Sequence, residues 1–240
     1  MVRHQARLVP PIGFAHRGAR ALAPENTLES FVLAQKLGAN GIESDVWVTA
    51  DGEAVLDHDG VVGGRLRRRP IRETARAALP PHIPTLAELY LTCGTDFELS
   101  LDIKDDGAIE PTVATARAMG AAERLWACHP NWEVVASWRP RYPDIKLVDS
   151  TRLNRMKQGP ERRAAQLADA GIDAVNLHRS DWSGGLTTLF HRFDRFALAW
   201  DCQLERHLDE TLDHGVDGVF SDYVDRMTDA IERAYPRDAG

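Results

Sequence analysis

The chain has 240 residues, enough for one large hydrophobic core and typical of a single-domain barrel. Acidic residues outnumber basic ones by 36 to 29, which disfavours a nucleic-acid partner because phosphate backbones are bound mainly by clustered Lys and Arg. The three cysteines lack metal-binding spacing, the start lacks the apolar segment of a secretory signal, and no apolar run is long enough for a bilayer. We therefore expect a cytoplasmic protein with no stable membrane insertion.

The first strand and helix are predicted between residues 12 and 38. The apolar run 12–15 predicts a buried strand, and this strand places His16 and Arg17 at its end. Asn26, followed three residues later by a glutamate, predicts the N-cap of a helix. Gly38 predicts the end of that helix.

The second strand is predicted at 41–48 and carries two carboxylates on one face. Side chains alternate along a strand, so Glu43 and Asp45 lie together while the aliphatic residues at 42, 46 and 48 face the other way. Neighbouring carboxylates repel each other, and the usual compensation is a cation from a side chain or a metal. A tight turn then leads into a return strand, 54–57, which delivers His58.

Strand and helix patterns alternate through the rest of the chain after an arginine-rich segment. Residues 60–82 lack periodicity, so we expect a short loop insertion over the site after the second barrel strand. The third barrel strand is predicted to place Asp102 and Lys104 on one face at its end. From the third onward, barrel strands are predicted at 97–103, 125–128, 145–148, 174–177, 196–200 and 218–220.

Eight strands separated by helices predict a TIM (β/α)8 barrel, formed as a single domain by residues 1–240. Such units pair in parallel with right-handed crossovers, and eight of them close a ring. A doubly wound open sheet is the competing architecture. It would normally carry a glycine-rich phosphate loop after its first strand, and the segment HRGARALAPENT has no such pattern.

Motifs along nearly the whole chain resemble the glycerophosphodiester phosphodiesterases. The opening block contains HRGA at 16–19, PENT at 24–27, IESDV at 42–46 and HD at 58–59, and later matches are IPTLAEL at 83–89, LDIK at 101–104, Trp200 and GVDGVFSD at 215–222. The resemblance implies metal-dependent hydrolysis of a small-molecule glycerophosphodiester to sn-glycerol 3-phosphate and an alcohol. It also implies that a hydroxyl of the substrate attacks first and forms a cyclic phosphate.

Two histidines at strand ends beside carboxylates are candidates for proton transfer. A lone histidine is more often a hydrogen-bonded structural residue, but a pair can serve as general base and general acid on opposite sides of a phosphate. The resemblance assigns these roles to His16 and His58 without deciding which is the acid.

Three carboxylates are candidates for metal ligands. Glu43, Asp45 and Asp102 can supply oxygen ligands to a hard divalent cation, Mg²⁺ or Ca²⁺, and the resemblance places the metal carboxylates at these positions. The alternative is that they are ion-pair partners of Arg17 and Lys104 at the barrel rim. Asp102 stands where the family most often has the longer glutamate, a difference that bears on the choice of metal.

The remaining site candidates are predicted to contact the substrate. Arg17 can bind two phosphate oxygens at once and Lys104 can act as a point charge. The resemblance suggests that Glu25 organises the metal or the glycerol hydroxyls and that Trp200 packs on the substrate. Two alternative functions remain open, a lysophospholipase D-like activity, which an apolar groove at the mouth would favour, and a non-catalytic barrel that binds glycerol phosphates.

Overall fold

Residues 4–64 and 68–236 are described by the computed structural model, and they form eleven strands and eight α-helices. The strands are β1 (Ile12–His16), β2 (Gly41–Val48), β3 (Ala54–Leu56), β4 (Val61–Val62), β5 (Arg69–Pro70), β6 (Glu98–Ile103), β7 (Leu125–His129), β8 (Lys146–Ser150), β9 (Ala174–His178), β10 (Phe196–Trp200) and β11 (Gly218–Ser221). The helices are α1 (Leu28–Lys36), α2 (Leu86–Cys93), α3 (Ile109–Ala118), α4 (Trp132–Trp138), α5 (Pro160–Asp169), α6 (Gly184–Arg192), α7 (Glu205–Asp213) and α8 (Val224–Ala234).

Eight of the strands close into a parallel barrel. Around the ring the order is β1, β11, β10, β9, β8, β7, β6 and β2, and β2 pairs back with β1. The short strand β3 adds to β2 in the antiparallel direction. The predicted TIM barrel is confirmed, and each predicted barrel strand overlaps an observed one with ends that differ by at most two residues.

The barrel has an apolar interior at the end where its strands begin. Phe14 stacks on Phe220 with ring centroids 4.5 Å apart, and Trp126 meets Phe14 edge-on at 6.2 Å. On the outside of β2, Ile42 and Val46 belong to the core between the strands and the helices. Because successive side chains face opposite sides of a strand, the carboxylates between them point into the barrel, as the alternation predicted.

The cap of α1 differs from the prediction. Thr27, not Asn26, is the N-cap, and its side-chain oxygen accepts a hydrogen bond from the Ser30 backbone N–H at 3.2 Å. Asn26 is buried in a left-handed conformation (φ 55°) and accepts a bond from the Ser44 hydroxyl at 2.7 Å. A contact with a residue distant in sequence therefore determines the position of Asn26. Gly38 follows the helix with φ 90°, as expected for its end.

The segment between β3 and α2 is more ordered than the predicted loop. Strands β4 and β5 pair in it, and two 3-10 helices follow at Ile71–Glu73 and Arg76–Ala78. Arg65 and Arg67 of the arginine cluster lie outside the described residues, whereas Arg68 and Arg69 lie within them. A small apolar core supports the segment and consists of Val55, Val62, Ile71, Leu79 and Ile83.

No helix within 4–64 and 68–236 combines the length and the apolar character needed to cross a bilayer.

Candidate active site

A cavity of about 610 Å³ opens where the barrel strands end. His16, Arg17 and Glu43 line it at β1 and β2, and Arg152 and Trp200 line it at the ends of β8 and β10. Catalytic residues of TIM barrels gather at this face because the chain leaves each strand there and the loops can vary. No described residue of the segment 60–82 lines the cavity, so its predicted position over the site stays a prediction.

The three carboxylates predicted to bind metal converge beside this cavity. Each of Glu43, Asp45 and Asp102 offers an oxygen within 4.8 Å of the others. Asp45 on β2 pairs directly with Asp102 on β6 in the parallel ladder, and Glu43 lies two residues earlier on the same face. Glu43 and Asp45 are buried, whereas the side chain of Asp102 is 37% exposed.

Two cations compensate part of this negative charge. Lys104 Nζ lies 2.9 Å from Asp45 Oδ1 and 2.9 Å from Asp102 Oδ2. Burial lowers the pKa of Lys104, but the two carboxylates outweigh burial and raise the pKa above its ordinary value. Arg17 Nε lies 3.3 Å from Asp45 Oδ2, and both atoms are buried without a hydrogen-bond partner among the described residues. The ion pairs that were predicted as the alternative to a metal site, between these carboxylates and Arg17 or Lys104, are therefore present.

These cations do not balance the site. Burial raises the pKa of Glu43 to about 8, and repulsion from the neighbouring carboxylates adds to this effect while His16 opposes it. Five carboxylates and three Arg or Lys side chains meet here, and a bound divalent ion would supply the positive charge that favours ionised Glu43. The buried Asp45 Oδ2 without a hydrogen bond fits the same ion. The carboxylates are Glu25, Glu43, Asp45, Asp102 and Asp222, and the cations are Arg17, Arg20 and Lys104.

His16 at the end of β1 is held between two carboxylates. Its Nδ1 lies 2.6 Å from Asp222 Oδ1, and its Nε2 lies 3.8 Å from Glu43 Oε2. Burial lowers the pKa of His16, but the Glu43 charge and the Asp222 hydrogen bond outweigh it, so the pKa is raised. Burial raises the pKa of Asp222, but the hydrogen bond from His16 and the charges of His16 and Arg20 outweigh burial, so the pKa lies below its ordinary value. Asp222 is therefore an ionised carboxylate that accepts the hydrogen bond, and His16 Nδ1–H donates it. Nε2 is therefore the nitrogen that faces the carboxylate cluster.

Arg17 connects the first two strands through its backbone and its side chain. It adopts the left-handed conformation (φ 53°), and its backbone N–H donates to Glu43 Oε2 at 3.0 Å. Its guanidinium donates to Glu25 Oε1 at 3.0 Å, and the other Glu25 oxygen pairs with Arg20 at 3.0 Å. Glu25 is not among the residues that line the cavity, so in this structure it holds the two arginines in place.

His58 lies outside the lining of the cavity that His16 lines. It follows β3 at the rim, where the preceding backbone N–H of Asp57 donates to the Asp45 carbonyl at 3.1 Å. Its Nδ1 lies 2.9 Å from Asp59 Oδ1, its side chain is 42% exposed, and it is absent from the cavity lining. The neighbouring Asp59 holds the imidazole at the surface in this conformation.

Trp200 ends β10 and lines the cavity, as predicted. The His178 ring meets it edge-on with centroids 4.5 Å apart, and the Arg152 guanidinium lies 5.6 Å from the centre of its ring. His178, which had no predicted role, helps to fix this indole.

Several lining residues were not predicted as site residues. Asp222 lies in the closing segment GVDGVFSD, directly after β11, and its position at a strand end was a usable signal. Gln203 accepts a hydrogen bond from the Asp222 backbone N–H at 2.9 Å. Arg20 and Arg152 carried no local signal, because only the folded barrel shows which charged loop residues reach the cavity.

The chain was compared with known proteins. The sequence model of the Glycerophosphoryl diester phosphodiesterase family matches residues 16–89. The protein named Probable glycerophosphodiester phosphodiesterase 2 from Mycobacterium tuberculosis is 30% identical over an alignment of 259 residues, and the alignment covers 96% of this chain and 92% of that protein. The chain belongs to the glycerophosphodiester phosphodiesterase family. The resemblance read from the sequence is confirmed, and the reaction class is phosphoric diester hydrolysis.

Solved structures share the same barrel. A phosphodiesterase from Oleispira antarctica, determined in complex with the product sn-glycerol-3-phosphate, is 24% identical with a TM-score of 0.80, and the match covers 92% of this chain and 97% of that one. A glycerophosphodiester phosphodiesterase from Thermotoga maritima is 21% identical with a TM-score of 0.78, and the match covers 94% and 99%. At these identities the likeness establishes the fold.

Proposed function

We propose that the protein hydrolyses glycerophosphodiesters to sn-glycerol 3-phosphate and an alcohol. The observation that carries the proposal is the convergence of Glu43, Asp45 and Asp102 beside His16 and Arg17 at one cavity. The product sn-glycerol-3-phosphate bound to the related Oleispira antarctica barrel supports this choice of substrate.

Glu43, Asp45 and Asp102 would hold one divalent cation, Mg²⁺ or Ca²⁺. When bound, the ion supplies positive charge that stabilises the negative charge developing on the phosphoryl oxygens. Carboxylate oxygens suit both ions, and the shorter Asp102 in place of glutamate affects which of them fits better. Lys104, already between two of these carboxylates, adds a fixed positive charge beside the same position.

Arg17 is placed to bind the phosphoryl group. Its side chain is 13% exposed and is held by Glu25 on one side, while its Nε has no hydrogen-bond partner among the described residues. A planar guanidinium can contact two phosphoryl oxygens, and donors fixed before the reaction stabilise the transition state without reorganising.

Proton transfer is assigned to the two histidines. His16 presents Nε2 towards the carboxylate cluster because Asp222 occupies Nδ1. His58 is the proposed second group, and it must turn from Asp59 towards the substrate to act. Proton transfer by a positioned imidazole typically contributes about a hundredfold or more to the rate.

The first nucleophile is proposed to be the hydroxyl on the glycerol carbon next to the phosphoester. One histidine removes its proton, the oxygen bonds to phosphorus, and the bond to the alcohol breaks as the other histidine protonates the departing oxygen. Water then opens the cyclic phosphate with the histidine roles exchanged. A tethered nucleophile avoids the entropy of capturing water, an advantage of several kcal/mol.

The cavity favours a polar alcohol over a fatty acyl chain. Of its fifteen lining residues, Trp200 and Phe220 are the large apolar ones, and most of the others carry charges or hydrogen-bonding groups. An apolar groove would have supported the lysophospholipase D-like alternative, and the described lining has none. The presence of both histidines and all three carboxylates likewise speaks against a non-catalytic barrel.

Product identification tests the proposal. The protein is incubated with glycerophosphocholine and either Mg²⁺ or Ca²⁺, and we expect sn-glycerol 3-phosphate and choline. Asp45→Asn should weaken calorimetric binding of the ion to chelator-treated protein and lower turnover. Release of glycerol and phosphocholine, or turnover that survives complete chelation, would contradict the proposed reaction or its metal.

A further inference from the structure

The side of the cavity formed at the ends of β8, β9 and β10 has its own chemical character. Around the ring, β9 stands four positions from β2 and three from β6, β10 stands three and four positions from them, and β8 stands three and two. We call this side the β8–β10 wall, and its members are Ser150, Arg152, Arg155, Asn176 and Trp200. None of these residues has a part in the proposed phosphoryl chemistry except for the expected substrate contact of Trp200.

Arg152 is fixed at the rim of this wall. Its Nε and Nη2 donate to the two oxygens of Asp181 at 2.7 and 3.2 Å, and its guanidinium stacks on Trp200. A two-pronged carboxylate contact holds the plane of the guanidinium. One face of the indole is thereby covered by a cation, and its other surroundings include the His178 ring. A cation therefore already lies close to the Trp200 ring, which disfavours a second, quaternary ammonium cation beside it.

Arg155 supplies a positive charge without local compensation. It is exposed at the mouth of the cavity, and no ion pair within 4–64 and 68–236 includes it. Asp201, which follows Trp200 and also lines the cavity, is engaged by His178 at 3.0 Å and by Arg179 at 3.8 Å. The wall therefore presents an uncompensated cation to whatever occupies this part of the cavity.

The floor of the wall offers hydrogen bonds that the protein does not use. Asn176 is 5% exposed, and its Oδ1 has no hydrogen-bond partner among the described residues. Its Nδ2 donates to Ser150 Oγ at 3.4 Å, which leaves the Ser150 hydroxyl hydrogen available. A buried polar atom without a partner is costly unless a ligand or water satisfies it. Hydroxyl groups of a ligand would match this pair.

We propose that the β8–β10 wall is the subsite for the alcohol, and that it selects alcohols carrying an anionic group such as a phosphate or a carboxylate. The inference rests on the proposed function. The glycerol arm must fold back to bring its hydroxyl to phosphorus, so the alcohol is the arm that extends across the cavity. Arg155, whose charge no carboxylate balances, then attracts its negative charge and disfavours cationic alcohols such as choline.

Matched substrate pairs test the preference. Glycerophosphoserine differs from glycerophosphoethanolamine by one carboxylate, and glycerophosphoglycerol phosphate differs from glycerophosphoglycerol by one phosphate. In each pair we expect the anionic member to have the higher kcat/KM by about three- to tenfold, the size of one partly screened charge interaction. Added salt should reduce the difference. Equal values within both pairs would overturn the proposal.

Variants connect the preference to the wall. Arg155→Gln should bring the ratio within each pair close to one, and Arg155→Glu should reverse it. Arg162→Gln is the matched control, because Arg162 is exposed on α5 and does not line the cavity, so the ratio should stay at the wild-type value. An unchanged ratio in Arg155→Gln, on protein with an unchanged Tm, would overturn the proposal.

Inhibition by sn-glycerol 3-phosphate separates the two arms of the substrate. If the wall holds the alcohol, Arg155→Gln should leave the inhibition constant of this product unchanged. A several-fold weaker inhibition would place the glycerol phosphate on the wall and overturn the assignment. If the wild-type protein hydrolyses none of the four compounds with either ion, the proposed function itself is wrong and this inference fails with it.

Discussion

Replacing Asp222 by asparagine tests how His16 is oriented. The carboxylate accepts the Nδ1–H bond at 2.6 Å, and an amide of the same shape loses the charge and can present its NH₂ group instead. Hydrogen bonds to a charged partner contribute about 1.5–3 kcal/mol. Both side chains are about one quarter exposed, 27% and 26%, which places the effect near the lower value. Expressed in the transition state, this is about a tenfold loss in kcat/KM.

The assay is the pH dependence of kcat/KM for a glycerophosphodiester with saturating divalent ion. The hydrogen bond to Asp222 helps to raise the pKa of His16. In Asp222→Asn, the limb of the kcat/KM pH profile that reports the titration of His16 should therefore move to lower pH. Asp229→Asn is the control, because it removes the same charge from the exposed surface of α8. Wild-type kcat/KM and an unmoved limb in Asp222→Asn would refute the assigned role of this contact.

Three further predictions address the metal, the second histidine and stability. Chelation should abolish turnover and added Mg²⁺ or Ca²⁺ should restore it, and Asp102→Glu should change the ratio of activities with the two ions; an unchanged ratio would mean that Asp102 is not a ligand. His58→Ala should lower turnover by about a hundredfold with an unchanged Tm, and near-normal turnover would reject its role in proton transfer. Arg163→Ala should lower the free energy of unfolding by about 3–5 kcal/mol at pH 7, because Asp149 is fully buried and loses the guanidinium at 2.6 Å, whereas Arg162→Ala should change it by about 0.5 kcal/mol or less. Burial raises the pKa of Asp149 to about 6 in the folded protein and removal of the guanidinium raises it further, so the loss should shrink as the pH falls towards 6 and Asp149 becomes protonated in the variant; a pH-independent loss would contradict this explanation.

The parts of the fold that follow a short period were predictable from the sequence. Alternation along 41–48 placed Glu43 and Asp45 on the interior face, since a residue two positions on always returns to the same side of a strand. The barrel followed because eight such strands separated by helices have few other ways to bury both faces. Asn26 shows the limit, because its position depends on Ser44, eighteen residues away, and not on the local helix signal.

The parts of the site that depend on contacts between distant residues were not predictable. Asp222 meets His16 across 206 residues, and only closure of β11 against β1 brings the two strand ends together. Arg152 reaches the cavity because Asp181 holds it, and no local pattern announces that pair. His58 lies at a strand end as expected, but its imidazole contacts the neighbouring Asp59 at the surface. Strand periodicity does not predict the direction in which a side chain beyond the strand end points.

Hydrolysis in ¹⁸O-labelled water tests the central claim most directly. The metal-loaded protein is given a glycerophosphodiester, and the products are separated and weighed by mass spectrometry. Attack at phosphorus, whether or not a cyclic phosphate forms first, should place one ¹⁸O in the phosphoryl group of sn-glycerol 3-phosphate and none in the alcohol. Label in the alcohol, or phosphate that leaves with the alcohol in place of glycerol, would contradict the account.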